Sequence, residues 1–415
     1  MISGILLARG LGAESRGYLA LIVLVPTILT QIGLVGLPTA TSYFVAQGVA
    51  RDHVLSLLFR PILAQVLGSS VVLVLVLLWL QLGAQPGFFI AGIATLPGVG
   101  GAIVGYYGLA VIQGGQFYKV FNLLRIVPTA ANAVAVVVLY TSHELSLKTA
   151  AFAWSVSMLA LAVLTIAAVR VTGSGSVAPS TRALRLGELV TFGMKAFVGS
   201  LYPIETFRLD QLLVGLIFTP VALGYYVVGL AFTNLLTFVN QSLGMVAYPA
   251  IASTADARRQ RRLLWNFVWF SLGLSSLAVG AIEIALGWLV PLLYGSDFLP
   301  AISLARVLLA AVLVRGVRRI LSDSLKGAGA PTAGTIAEVV SWVAALLFLG
   351  LFALLDTGPL GVAAAVACSE CASVGALLIL EHRLRRKAAN EIISRPSPTD
   401  TDGAIIGADT PTGVG

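Results

Sequence analysis

Two groups of charged residues stand inside apolar, helix-length stretches of this chain. The first is Lys195, Glu205, Arg208 and Asp210, within LGELVTFGMKAFVGSLYPIETFRLDQLLVGLIF beginning at Leu186. The second is Arg306, Arg315, Arg318 and Arg319, followed by Asp323, in a run that opens near Leu299. Arg60, Arg125, Glu283, Glu338 and Glu370 stand singly in other apolar runs. A charge at the centre of a membrane helix costs about 2.5–3.5 kcal/mol on insertion scales, so it needs a partner or a wet cavity. Arginine keeps its proton and grips phosphates through two parallel hydrogen bonds. Arg208, Arg315 and Arg318 are therefore the leading candidates for contact with a phosphate-bearing group, with Lys195 and Arg125 behind them. Asp210 and Glu205 are the candidates for a carboxylate that takes up a proton or a sodium ion. The structural alternative is pairing: Glu205 with Arg208 at i,i+3, Arg319 with Asp323 at i,i+4, and Glu338 with Arg315 or Arg318.

Other chemistries lack their residues. No G-x-x-x-x-G-K-[ST] phosphate loop, H-E-x-x-H or G-x-S-x-G occurs, and His53, His143 and His382 are scattered. Cys368 and Cys371, the 2 cysteines, are spaced C-x-x-C in an Ala- and Ser-rich run. Without further ligands they read as small packing residues and not as a metal or redox pair. No cofactor and no enzymatic activity is expected. The longest loop on the weakly charged side, Thr141–Lys148, is too short to build an active site.

The positioning elements are membrane helices. Hydrophobic residues make up 58% of the 415 and charged residues only 11%, against roughly 25% charged in soluble proteins. Apolar runs long enough to cross a bilayer recur throughout. Spans are expected at Gly17–Ala46, Val54–Leu80, Phe88–Gln113, Tyr118–Tyr140 and Leu147–Val171. A second series runs Leu186–Phe218, Val221–Ile251, Leu263–Leu293, Leu299–Lys326, Thr332–Leu355 and Gly358–His382. Met1–Leu11 covers only about 16 Å as a helix, so the first span is expected to be incomplete and the native start to lie upstream.

The two series look like copies of one unit. Arg16-Gly17-Tyr18 matches Leu223-Gly224-Tyr225, and the spans that follow end in LPTATSYFVA and GMVAYPAIAS. The expected fold is all-α and polytopic, with about twelve helices in two six-helix lobes, 1–171 and 186–382. A Gly/Ser/Pro-rich linker, 172–185, joins the lobes, and 383–415 is a basic and then disordered tail. Most of the 26 Lys and Arg fall in one alternate set of loops, including Arg51, Lys119, Arg170, Arg258, Arg259, Arg261, Arg262, Lys326 and Arg383. That is the positive-inside pattern. The net charge of +8 thus reports topology with the basic loops and C-terminus cytoplasmic, and not a nucleic-acid partner. Gly101-x-x-x-Gly105 is expected to let two helices approach closely.

LLARGLGAESRGYLAL followed by IGLVGLPTATSYFVA resembles the opening of the polysaccharide biosynthesis proteins, the oligosaccharide (O-antigen type) flippases of the multidrug/oligosaccharidyl-lipid/polysaccharide exporter superfamily. FRLDQLLVGLIFTPVALGYYVVG resembles that family's hairpin, with Asp210, Gly215, Gly224 and Tyr226 in the matching places. LLYGSDFLPA, LKGAGAPT and GPLGVAAAVACSE resemble its later spans, so the likeness covers nearly all of 1–385. The resemblance implies two lobes around a cavity of alternating access in a bacterial or archaeal cytoplasmic membrane. It implies a polyprenyl-diphosphate-linked oligosaccharide as substrate, proton or sodium coupling, membrane lipids as surroundings and glycan-assembly proteins as possible partners. Arg208, Arg315, Arg318, Lys195 and Arg125 would then face the diphosphate. A multidrug exporter of the same superfamily, a scaffold or a membrane enzyme of glycan assembly remain the alternatives.

Overall fold

The computed structural model describes residues 2–83, 85–172, 184–199, 208–254, 256–327 and 332–393. Among these there is no strand; the chain is an all-helical, polytopic membrane fold. The first half contains α1 (Ile2–Leu34), α2 (Leu37–Ala46), α3 (Arg51–Leu80), α4 (Phe88–Ile93), α5 (Leu96–Gly114), α6 (Tyr118–Thr141) and α7 (Leu147–Val171). The second contains α8 (Leu186–Gly199), α9 (Leu209–Ile217), α10 (Pro220–Ala231), α11 (Asn234–Ala252), α12 (Ala257–Tyr294), α13 (Ala301–Gly327), α14 (Thr332–Leu354) and α15 (Gly358–Ile393). Eight helical stretches are long and apolar enough to cross a membrane, or 9 if α10 and α11, bent by 47°, form one span. The 27-residue α13 is long enough as well, but its arginines take it out of that count.

Several spans differ from the sequence expectation for local reasons. The stretch Gly17–Ala46 is broken at Val35 and Gly36, both at positive φ (48° and 68°), so α2 leaves α1 at an angle. Its counterpart in the second copy bends elsewhere, between α10 and α11 at residues 232–233. The repeat is therefore kept in plan but not in the position of its bends. The expected span Leu186–Phe218 appears as two described helices, α8 and α9, with 200–207 outside the described residues. α12 starts six residues earlier than expected, because the Asp256 side chain accepts the Arg258 N–H at 3.0 Å and caps it. α15 runs on through the basic segment to Ile393. The linker from 173 to 183 and the tail from 394 lie outside the described residues.

Basic loops gather at one end within each half. Arg51 donates to the Val169 carbonyl at 2.7 Å, joining the start of α3 to the end of α7. One buried cluster (Leu264, Leu325, Ala333 and Leu377) joins the start of α12 to the end of α13, the start of α14 and the late part of α15. Glycines set the closest helix contacts. A Cβ on Gly101 would lie 2.8 Å from the Leu159 nitrogen, and one on Gly105 2.7 Å from the Leu161 side chain. That pair packs α5 on α7, as the spacing predicts.

The two halves meet through equivalent positions of the repeat. A Cβ on Gly17 would fall 1.7 Å from the Pro220 carbonyl oxygen, and one on Gly224 would fall 2.2 Å from that of Ala13. At the same end, away from the basic loops, Arg9 Nε donates to the Leu293 carbonyl at 2.8 Å and Nη2 donates to that of Leu292. Arg9 thus satisfies two carbonyls near the C-terminus of α12, where a cation also suits the helix dipole. Ala8 is buried in the same cluster as Val228, Leu286 and Phe298. The segment of α1 before its break at Gly12 (φ 74°, ψ 174°) therefore packs on the second half. At the basic end the link is different: Tyr43 of α2 stacks on Phe192 of α8, with ring centroids 4.3 Å apart.

Candidate functional site

Charge in the second half collects where α9, α13, α14 and α15 meet. The four-residue spacing puts Arg315 near the face of Arg318 and Arg319 on α13, and the chain brings two carboxylates to them from other helices. Arg315 Nε lies 2.8 Å from Glu370 Oε1, and Arg318 Nε lies 2.7 Å from Glu370 Oε2. Arg318 also pairs with Glu338. Glu370 is 1% exposed, so both guanidinium groups share a carboxylate shut off from solvent. Of the two partners open to Glu338 in the sequence, the fold takes Arg318. Arg319 pairs with Asp323 at 3.0 Å, one helical turn on, and Lys326 reaches the same carboxylate at 3.3 Å. Arg306 pairs with Glu283 of α12 at 3.3 Å.

Asp210 sits beside this cluster, not within its ion pairs. Its Oδ2 accepts the Tyr226 hydroxyl hydrogen bond at 2.9 Å, tying α9 to α10. Its Oδ1 is buried without a hydrogen-bond partner. Asp210, Arg318, Glu338 and Glu370 line one cavity of about 130 Å³ whose remaining wall is apolar except for Ser341. The roles foreseen for Arg315 and Arg318 thus meet an obstacle: their Nε edges are taken up by carboxylates. Arg208, exposed at the start of α9, adopts a left-handed conformation (φ 46°, ψ 48°). A continuous helix through it, which the i,i+3 pairing with Glu205 assumed, is therefore absent at Arg208. Glu205 lies outside the described residues.

The larger cavity, about 840 Å³, belongs to the first half and is closed on one side by α8. Arg125 is the one charged side chain among its described lining residues. Gln31, Ser42, Tyr43, Gln113 and Thr129 supply polar groups to the same space. Arg125 lies over the Phe121 ring at 5.5 Å from its centroid, a cation–π contact. It has no carboxylate partner among the described residues. Lys195 is exposed on α8 and outside this lining. Sequence reading placed Arg125 last among the cations because it stands alone in its span. The dispersed Gln, Ser and Thr residues that join it carry no signal in one sequence, since they come from α1, α2, α5 and α6. Tyr226 was visible only as a family position; its bond to Asp210 needs the turn between α9 and α10.

The family model described as "Polysaccharide biosynthesis protein" matches residues 6–303. Among curated proteins, none matches the chain. Among solved structures, the chain is similar to the inward-facing conformation of a multidrug resistance MATE family transporter of the MOP superfamily, at 16% identity and a TM-score of 0.73, covering 94% of each chain. It is similar to the lipid II flippase MurJ in an inward closed conformation, at 14% identity and a TM-score of 0.69, covering 92% of this chain and 84% of that one. The outward-facing conformation of a MATE family transporter gives a TM-score of 0.58 at 16% identity, covering 94% of this chain and 92% of that one.

Proposed function

The chain belongs to the polysaccharide biosynthesis protein family, and we propose that it is an alternating-access flippase for polyprenyl-diphosphate-linked oligosaccharide. It would move this lipid from the cytoplasmic to the outer leaflet of a bacterial or archaeal cytoplasmic membrane, with the basic loops inside, to supply cell-surface polysaccharide synthesis. The observation that carries this reading is the cavity of about 840 Å³ holding Arg125 and, among its described lining residues, no carboxylate. A site of that size suits an anionic head group and its first sugars, since polar side chains surround the one cation. Arg125 is the leading diphosphate contact, with Lys195 and Arg208 as further cations free of carboxylate partners among the described residues. Arg315 and Arg318 would reach the substrate only by giving up Glu370 or Glu338. The lobe boundaries 1–171 and 186–382 fit a rocking motion about the Gly17–Gly224 crossing. The closed end at Arg9 and the higher TM-score to an inward-facing transporter support access from the basic end.

Transport by purified protein in vesicles, read as arrival of the labelled lipid in the opposite leaflet, tests the reading. Losing a charge-assisted hydrogen bond costs about 1.5–3 kcal/mol, so Arg125→Ala should slow glycolipid movement by about tenfold to a hundredfold. Arg125→Lys should recover part of it. Wild-type rates in Arg125→Ala would remove the diphosphate assignment. The MATE likeness favours a second reading, multidrug export. Efflux of cationic dyes without glycolipid transport would establish it, although a cavity with Arg125 and no carboxylate among its described lining residues repels such substrates.

Asp210 is the proposed coupling residue. Three carboxylates, Asp210, Glu338 and Glu370, line its cavity with Arg318, and the Asp210 Oδ1 that lacks a hydrogen-bond partner is where a proton or sodium ion would bind. Binding there could strain or release the Tyr226 bond and so bias α9 against α10. Asp210→Asn should keep downhill movement of the lipid but lose its acceleration by an imposed ion gradient. Unaltered acceleration in that variant would exclude Asp210 as the coupling site.

A further inference from the structure

The first turns of α12 place positive charge where the helix least tolerates it. Arg258, Arg259, Arg261 and Arg262 fall within its first six residues, at the end where the helix dipole is already positive. The spacing also sets like charges three and four residues apart, which is unfavourable on a helix surface. All four side chains are exposed. The nearest acid, Asp256, is exposed and caps the helix through the Arg258 N–H. Asp323 at this end is held by Arg319 and Lys326, and Glu381 is buried and already engaged. None of the four arginines has a carboxylate partner among the described residues. Topology alone needs positive charge in this loop, but not stacked on a helix N-terminus.

The spacing continues into aromatic residues. Arg258, Arg261, Arg262, Trp265 and Trp269 follow one another at i, i+3, i+4, i+7 and i+11, which makes a single stripe; Arg259, three residues before Arg262, borders it. The Trp265 and Trp269 rings lie 6.4 Å apart. Trp269 is 63% exposed, whereas Trp265 is half-buried and packs its inner side on the cluster around Leu264 and Val268. From Arg262 to Trp269 is about 10 Å of helix, the distance from lipid phosphates to the upper acyl chains. Tryptophan prefers that depth. A soluble phosphate would need only the arginines; the exposed Trp269 ring beneath them fits a chain attached to the phosphate.

We propose that the stripe Arg258, Arg261, Arg262, Trp265 and Trp269 is a binding site for an anionic phospholipid, its phosphate on the arginines and an acyl chain along the tryptophans. This site is separate from the substrate cavity, and it does not depend on which glycan is carried. The experiment compares two triple variants in mixed phosphatidylglycerol and phosphatidylcholine nanodiscs. Arg258→Gln/Arg261→Gln/Arg262→Gln removes the stripe, whereas Lys119→Gln/Arg383→Gln/Arg386→Gln removes equal charge from the same membrane face. Retained lipid is counted by native mass spectrometry, and melting is followed with and without phosphatidylglycerol. Wild type and the second variant should retain phosphatidylglycerol adducts and melt higher with that lipid; the first variant should lose both. Trp269→Ala, which leaves every charge in place, should weaken retention and so covers the case in which the first variant fails to insert. Equal losses in the two triple variants, or unchanged retention in the first variant or in Trp269→Ala, would overturn the proposal. Full replacement of the lipid's stabilising effect by inorganic phosphate would overturn it too, since the acyl chain would then contribute nothing.

Discussion

Gly17→Val should prevent the two halves from closing on one another, and Gly224→Val should do the same. A side chain at either position meets backbone, not a movable side chain: the Pro220 carbonyl at 1.7 Å for Gly17 and that of Ala13 at 2.2 Å for Gly224. The helices must separate before even a methyl group fits. Overpacking a well-packed contact costs about 1–3 kcal/mol, and more where backbone has to move. The yield of monodisperse protein and its melting temperature should both fall sharply, and any protein that survives should transport little. Gly273→Ala provides the control. Nothing lies within 4 Å of its Cβ position, and alanine favours the helix by about 0.8–1.0 kcal/mol, so melting should hold or rise. Normal melting in Gly17→Val would mean that this crossing is not close in the folded protein.

The second large effect is expected at Glu370. Its two oxygens serve Arg315 at 2.8 Å and Arg318 at 2.7 Å, and it is 1% exposed. Glu370→Ala strips both guanidinium groups of the carboxylate they share. Breaking a buried ion pair from one side costs about 3–5 kcal/mol, a large part of the roughly 5–15 kcal/mol that keeps a protein folded. The melting temperature should drop steeply and α13 should loosen from α15. Glu370→Gln/Arg315→Gln removes one charge of each sign and should recover much of the loss. If Glu370→Ala melts like the wild type, the cluster does not hold these helices. If the paired variant melts no higher than Glu370→Ala, lost packing and not charge imbalance is the cause.

What the sequence determines follows from residue type and spacing along the chain. Apolar runs of bilayer length set the membrane helices, because backbone polar groups can be satisfied there only within a helix. The Arg16-Gly17-Tyr18 and Leu223-Gly224-Tyr225 match is enough to reveal the repeat, and Arg319–Asp323 follows from one turn of helix. The close packing at Gly101 and Gly105 is equally local. Only the tertiary structure decides which charges meet. Arg318 can choose among carboxylates on α14 and α15, and nothing in the spacing along α13 says which helix stands opposite. Tertiary packing also separates cations that look alike in sequence: Arg315 and Arg318 are engaged with Glu370, whereas Arg125 looks into the cavity of about 840 Å³. The bends at Val35–Gly36 and at 232–233 escape the hydrophobic pattern because an apolar run stays apolar through a change of direction. Pairing energy and cavity shape depend on distances between helices, and those distances are fixed only when the two halves pack.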